Sequence, residues 1–114
     1  MIVKVIIKRT VAEGKNKTFF KALKEIRFHA MHQEGYISGE TLVSAEDANR
    51  VIVISTWASL DDWHKWINSE KRQAVDQAIS QYQANPTVYE PYVFSKYKAA
   101  ATLGFPKSLQ AMDA

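Results

Sequence analysis

Apolar and polar positions alternate along the chain with two different periods. From Ile2 to Arg9 β-branched residues dominate and lysines stand at positions 4 and 8, so Val3, Val5 and Ile7 share one face of a predicted strand. Past the turn residues Ala12-Glu13-Gly14, the spacing of Phe19, Leu23, Ile26 and Ala30 predicts a helix from about Lys17 to Gln33, with Gly35 just beyond as its C-cap. Tyr36 to Ser44 alternates loosely, with Tyr36, Ser38, Glu40 and Leu42 on one face and Ile37, Gly39, Thr41 and Val43 on the other. The turn Ala45-Glu46-Asp47-Ala48-Asn49 leads into Arg50 to Trp57, a Val/Ile run that reads as the second strand of a hairpin. Apolar on both faces, it is expected to be central and buried on both sides.

Ser59 followed by Leu60-Asp61-Asp62 is a helix start: a serine N-cap, then carboxylates where the helix dipole favours negative charge. This short helix should turn Leu60, Trp63 and Ile67 inward. Asn68-Ser69-Glu70 reads as a second cap, opening a helix whose stripe is Ala74, Val75, Ala78, Ile79 and Tyr82 and which Asn85-Pro86 stops. Val88 to Tyr97 is the last strand, and Pro91 within it, having no N–H to donate, belongs at an edge or a bulge.

The order is β-α-β-β-α-β with the second helix broken in two. That predicts an α+β class, ferredoxin-like split antiparallel sheet over residues 1–97, with a tail over 98–114. No repeat or linker divides it. Strands with apolar residues on both faces leave one sheet face to be covered, and in so short a chain the expected cover is a second copy, giving a homodimer. Leu103, Phe105 and Leu109 of the tail are candidates to lie over an exposed position such as Phe28.

Composition narrows the function classes. One soluble domain follows from 114 residues, of which 46% are apolar and 24% charged. The absence of cysteine excludes thiolate zinc sites, iron–sulfur clusters and cysteine nucleophiles. The net charge of +3 is spread singly or in pairs, as at Lys8-Arg9 and Lys71-Arg72, so no continuous stripe points to nucleic acid. Apolar runs such as Val51 to Ile54 are too short to cross a bilayer, and Met1-Ile2-Val3-Lys4 lacks a signal-peptide plan, so a cytoplasmic protein without membrane partners is expected.

The block from Val51 through Trp57, Ser59, Asp62, Trp66 and Ser69 to Glu70, followed by Pro86-Thr87-Val88-Tyr89-Glu90, resembles the antibiotic biosynthesis monooxygenase (ABM) family. Its pattern is an apolar strand ending in an aromatic, a Ser-x-acidic helix start, an aromatic or His in that helix, and Ser at the next helix start. The resemblance implies a dimeric α+β barrel with a pocket between helices and sheet in each subunit. It also implies, in the quinone-forming branch, oxidation of quinol-like or polycyclic aromatic substrates without any cofactor, by holding the substrate and stabilising its anion. Trp57 matches the aromatic that lines that pocket, whereas Val53 stands where an Asn is usual and Trp63 where a Tyr is usual. In the haem-degrading branch a His ten residues after the helix Trp ligates iron. Here Asp76 follows Trp66 at that spacing, which disfavours haem binding or degradation. A non-catalytic small-molecule-binding or stress-related dimer of the same fold is the other reading.

Within this frame Trp57, Trp63, Trp66 and Tyr36 are the candidate substrate-binding residues and His64 the candidate catalytic proton carrier. Three tryptophans in ten residues also fit a plain packing role, and a histidine on an exposed helix face needs no function. Tyr82, Tyr89 and Tyr92 offer further phenols, the latter two expected to pack in the dimer. Glu25, His29 and His32 fall within about 60° of one another on the first helix, but about 130° from its apolar stripe, so they are expected to face solvent and no metal site is predicted.

Overall fold

The computed structural model describes residues 1–94. Strand β1 (Val3–Thr10) pairs on one side with β3 (Arg50–Trp57) and on the other with β4 (Val88–Val93), and β2 (Tyr36–Val43) pairs with the outer side of β3. The sheet is antiparallel throughout, in the order β2-β3-β1-β4. Between the strands run α1 (Asn16–Met31), α2 (Leu60–Ile67) and α3 (Glu70–Ser80), completing the expected split ferredoxin-like order. Pro91 sits on β4, the edge strand of the described sheet, where a residue without an N–H is tolerated. β4 ends at Val93, and the expected extension to Tyr97, with the tail residues Leu103, Phe105 and Leu109, lies outside the described residues.

Register sorts the side chains into two layers, because residues directly opposite in a sheet share a face. Val3, Val5, Ile7 and Arg9 oppose Trp57, Ser55, Val53 and Val51, and all turn toward the helices. Two buried clusters fill this layer. One gathers Val3, Val5, Ala30, Trp57, Trp63 and Trp66; the other gathers Val11, Phe19, Leu23, Val51 and Ile79. Ile26 of α1 packs against both. On the opposite sheet face Ile6, Ile52 and Ile54 are half-buried, while Leu42, Val88 and Tyr92 are exposed. β3 is thus central, but its outer face is covered only in part by the described residues.

Both predicted caps form. Ser59 Oγ accepts from the Asp62 N–H at 3.1 Å, and Ser69 Oγ accepts from the Arg72 N–H at 3.2 Å. Three local expectations are corrected. Leu60 is exposed, and Trp66 joins Trp63 as the buried pair of α2, with Ile67 half-buried. Of the α3 stripe only Ile79 is buried; Val75 and Tyr82 are half-buried, and Ala74 and Ala78 are exposed. α3 also ends at Ser80, well before Pro86. Residues 82–84 leave the helix to continue the pairing beyond β1, with Ala12 N donating to Tyr82 O at 2.8 Å and Ala84 N to Thr10 O at 2.9 Å.

A fourth correction, in a strand, concerns the face of Tyr36. A bulge between Tyr36 and Ser38 leaves Ile37 without a partner, so Tyr36 opposes Trp57 while Gly39 opposes Ser55 and Thr41 opposes Val53. Simple alternation put Tyr36 with Ser38 and Glu40. The extra residue flips it to the helix side with Gly39 and Thr41.

Candidate functional site

The two core clusters do not close on each other completely. Between them, under α1 and α2 and above β3 and β1, lies a cavity of about 50 Å³. Trp57, Trp63, Trp66 and Ile67 form one wall, Leu23, Ile26 and Ala30 of α1 the roof, and Ile7, Val53 and Ser55 the floor. Tyr36, Gly39, Thr41 and Arg27 stand at the β2 edge, where Arg27 and Thr41 are exposed and mark the mouth. Arg27 Nη2 donates to Gly39 O at 2.7 Å, a strap from α1 to β2 across that mouth.

The aromatic wall is held in fixed geometry. Trp57 and Trp66 stack with ring centres 6.5 Å apart and planes 23° apart, and Tyr36 meets Trp57 edge-on at 5.4 Å and 88°. Trp57 is fully buried and satisfies its indole N–H by donating to Ser55 Oγ at 3.1 Å. Gly39 leaves room for the Tyr36 phenol, because a Cβ there would stand 2.6 Å from its oxygen. Gly35 (φ +85°) lets the chain turn directly beneath Asp62, whose side chain occupies the space a Cβ would take. The glycine expected as a helix cap therefore fixes the approach of α2, since α1 ends earlier, on His32.

At the other end, toward α3 and β4, the lining becomes polar. Arg9 is buried, and its Nη1 donates to Gln83 Oε1 at 2.8 Å, Thr87 Oγ1 at 3.1 Å and Asp76 Oδ1 at 3.3 Å. Arg72 Nη1 lies 3.5 Å from Asp76 Oδ2 and donates to the Tyr89 hydroxyl at 2.9 Å, while that hydroxyl donates to Asp76 Oδ1 at 3.2 Å. Burial, reinforced by the Asp76 charge and opposed by Arg9 and Arg72, pushes the Tyr89 phenol above its ordinary value, so it stays protonated.

The four substrate-binding candidates Tyr36, Trp57, Trp63 and Trp66 thus meet around one cavity, serving as core and as lining at once. His64 does not join them. It is exposed on the outer side of α2, its ring 5.2 Å from that of Trp63, because the helix turns Trp63 and Trp66 inward and therefore His64 outward. Tyr89 was expected in the dimer contact; the pairing of Ile7 with Tyr89 places it on the helix face and at the cavity instead. Arg9 carried no sequence signal beyond breaking the alternation of β1 with a charge on its apolar face. Glu25, His29 and His32 do not assemble, and among the described residues no group of three His, Asp or Glu side chains is placed to hold a metal. Asp76, at the haem-ligand spacing, is engaged by two guanidiniums and a phenol.

The sequence profile of the antibiotic biosynthesis monooxygenase family matches residues 2–78. The chain belongs to this family. No curated protein matches it in sequence. Among solved structures the ABM fold recurs at low identity. A conserved protein from Methanosarcina mazei Go1 superposes with TM-score 0.75 at 17% identity, over 81% of this chain and 91% of that one. SnoaB, a cofactor-independent oxygenase from Streptomyces nogalater, gives TM-score 0.75 at 14% identity over 83% and 94%. Rv0793 from Mycobacterium tuberculosis gives 0.72 at 12% over 82% and 94%. At such identities the likeness establishes the shared ABM fold. No helix among the described residues is long and apolar enough to cross a membrane.

Proposed function

We propose that this ABM-family chain binds a single-ring, electron-rich phenol or hydroquinone in the cavity and oxidises it with molecular oxygen. The observation that carries the reading is the wall of stacked Trp57 and Trp66 with Tyr36 and Trp63 around an otherwise apolar space. In a monooxygenation of this kind a phenol loses its hydroxyl proton and a ring hydrogen. One oxygen atom enters the ring as the quinone carbonyl, the other leaves as water, and the four electrons come from the substrate. The protein's share is to hold the ring, exclude bulk water and favour the anion.

Size decides the ring count. A cavity of about 50 Å³ holds a few waters, and a benzene ring needs roughly 150 Å³. The space is therefore nearer to one ring than to a polycyclic substrate, and the exposed Arg27 at its mouth is the lining side chain with most room to move. Oxygen uptake and ¹⁸O incorporation test the reading with methoxyphenols. Labelled quinone at one O₂ consumed per product is expected, and uptake no faster than spontaneous oxidation would sink it.

One observation favours a second reading, the non-catalytic binding dimer: no carboxylate or imidazole is among the residues lining the cavity. Quenching of tryptophan emission by phenols without oxygen uptake supports that alternative. In either case the open sheet face, with exposed Leu42, Val88 and Tyr92 beside half-buried Ile6, Ile52 and Ile54, supports pairing of two chains face to face.

A further inference from the structure

The α3 side of the cavity carries one more positive charge than its own pairing uses. Asp76 is shared between the guanidiniums of Arg9 and Arg72, and the remaining member, Tyr89, is neutral. Arg9 is only 4% exposed. Its Nη1 is engaged three times over, by Asp76, Gln83 and Thr87. Its Nε–H is buried and has no acceptor, whereas the neighbouring Nη2, which makes no hydrogen bond among the described residues, is not sealed from its surroundings; Arg9 is one of the residues that line the cavity. A buried guanidinium N–H without an acceptor is rare in folded proteins, since desolvating a charged donor without a partner is unfavourable.

The geometry of the unused edge specifies its ligand. Nε–H and one Nη2–H point side by side in the guanidinium plane, a fork that matches the two oxygens of a carboxylate. A phenolate, with one oxygen, engages it less completely. The contacts of Nη1 hold the opposite edge against Asp76, Gln83 and Thr87, so the fork is oriented before any ligand arrives. Arg72 is fixed in turn through Nε to Ile67 O at 3.0 Å and lies over the Tyr89 ring at 5.5 Å.

We propose that Arg9 is an anion subsite of the cavity and takes the carboxylate of a single-ring aromatic acid, with the ring against the tryptophan wall. This deepens, and rests on, the reading of the cavity as an aromatic-ligand site. It selects hydroxybenzoate-type acids over neutral phenols, and it makes Arg9 the residue that sets substrate class.

Titration of the full chain, followed by tryptophan emission, tests it with benzoate, its neutral isostere benzamide, hydroquinone and 4-nitrophenolate. Benzoate is expected to bind at least about tenfold tighter than benzamide, the scale of a charge-assisted contact. Arg9→Gln is expected to abolish that preference while hydroquinone still quenches, showing an intact cavity. Arg9→Lys keeps charge and bulk but not the fork, and is expected to reduce the preference at least about threefold. Should Arg9→Gln not fold, the wild-type benzoate and benzamide pair and Arg9→Lys still decide. Equal affinities for benzoate and benzamide, or a full preference in either variant, overturn the proposal. A preference for 4-nitrophenolate over benzoate overturns the carboxylate assignment. If hydroquinone binds and benzoate has no advantage, only the Arg9 proposal falls; if no probe perturbs the emission, the cavity reading falls with it.

Discussion

Gly35→Ala and Gly14→Ala make the same chemical change at two left-handed positions, φ +85° and +76°, in opposite surroundings. A Cβ at Gly14 meets nothing within 4 Å, so its alanine variant carries only the backbone penalty, about 1 kcal/mol. At Gly35 the added carbon would stand 2.5 Å from Asp62 Cβ, about 0.9 Å inside ordinary contact. Asp62 Cβ moves only with its backbone, so the first turn of α2 must shift, and the Ser59–Asp62 cap bonds at 2.9 and 3.1 Å are strained or lost. A lost cap contributes about 1 kcal/mol. Together with the φ penalty and the displaced turn, about 2–3 kcal/mol is expected for Gly35→Ala. At about 4 °C per kcal/mol for a domain of this size, thermal unfolding by circular dichroism should fall by about 4 °C for Gly14→Ala and about 8–12 °C for Gly35→Ala. In an Asp62→Gly background, where no side chain opposes the new carbon, Gly35→Ala should add only about 1 kcal/mol. Equal losses at the two glycines, or no relief from Asp62→Gly, would refute the claim that Gly35 sets the seat of α2.

Gly39→Ala presses on the free end of Tyr36 rather than on backbone, so less than about 1 kcal/mol of stability is lost, while phenol affinity by fluorescence titration changes at least about threefold. The raised Tyr89 pKa means that the folded state holds this proton more tightly than the unfolded chain, whose tyrosine titrates near 10.0. Its contribution is therefore complete below pH 10 and lost as pH rises through the folded value. Urea midpoints from pH 9 upward should show that decline in wild type and less of it in Tyr89→Phe. Because Asp76 is engaged and offers no imidazole, a haem titration is expected to leave the Soret band of free haem unshifted; a shift would reopen haem chemistry. His64→Ala is expected to change phenol affinity less than about twofold, since His64 faces solvent, and a larger loss would return that residue to the site. Sedimentation should give twice 13.0 kDa, and Ile54→Lys on the open face should give the monomer.

Element order, both helix caps and the buried stripe of α1 were legible in the residues alone, because each rests on local spacing: period two, period 3.6, or a serine ahead of a helix. The same spacing also placed Trp57 and Trp63 at the inner ends of neighbouring elements, where apolar bulk must meet in the core. Spacing does not encode the rest, which depends on how the elements pack. One unpartnered residue, Ile37, turned Tyr36 to the helix face; the seating of α2 beside Gly35 turned His64 out; and the pairing of Ile7 with Tyr89 carried that phenol to the cavity. The Arg9–Asp76–Arg72–Tyr89 cluster joins residues from β1, α3 and β4, which lie far apart in sequence. A lone arginine on the inner face of a strand reads as an irregularity until the fold surrounds it with one carboxylate for two cations. Charge pairing across long sequence separation is a property of the assembled layers, which no local spacing encodes.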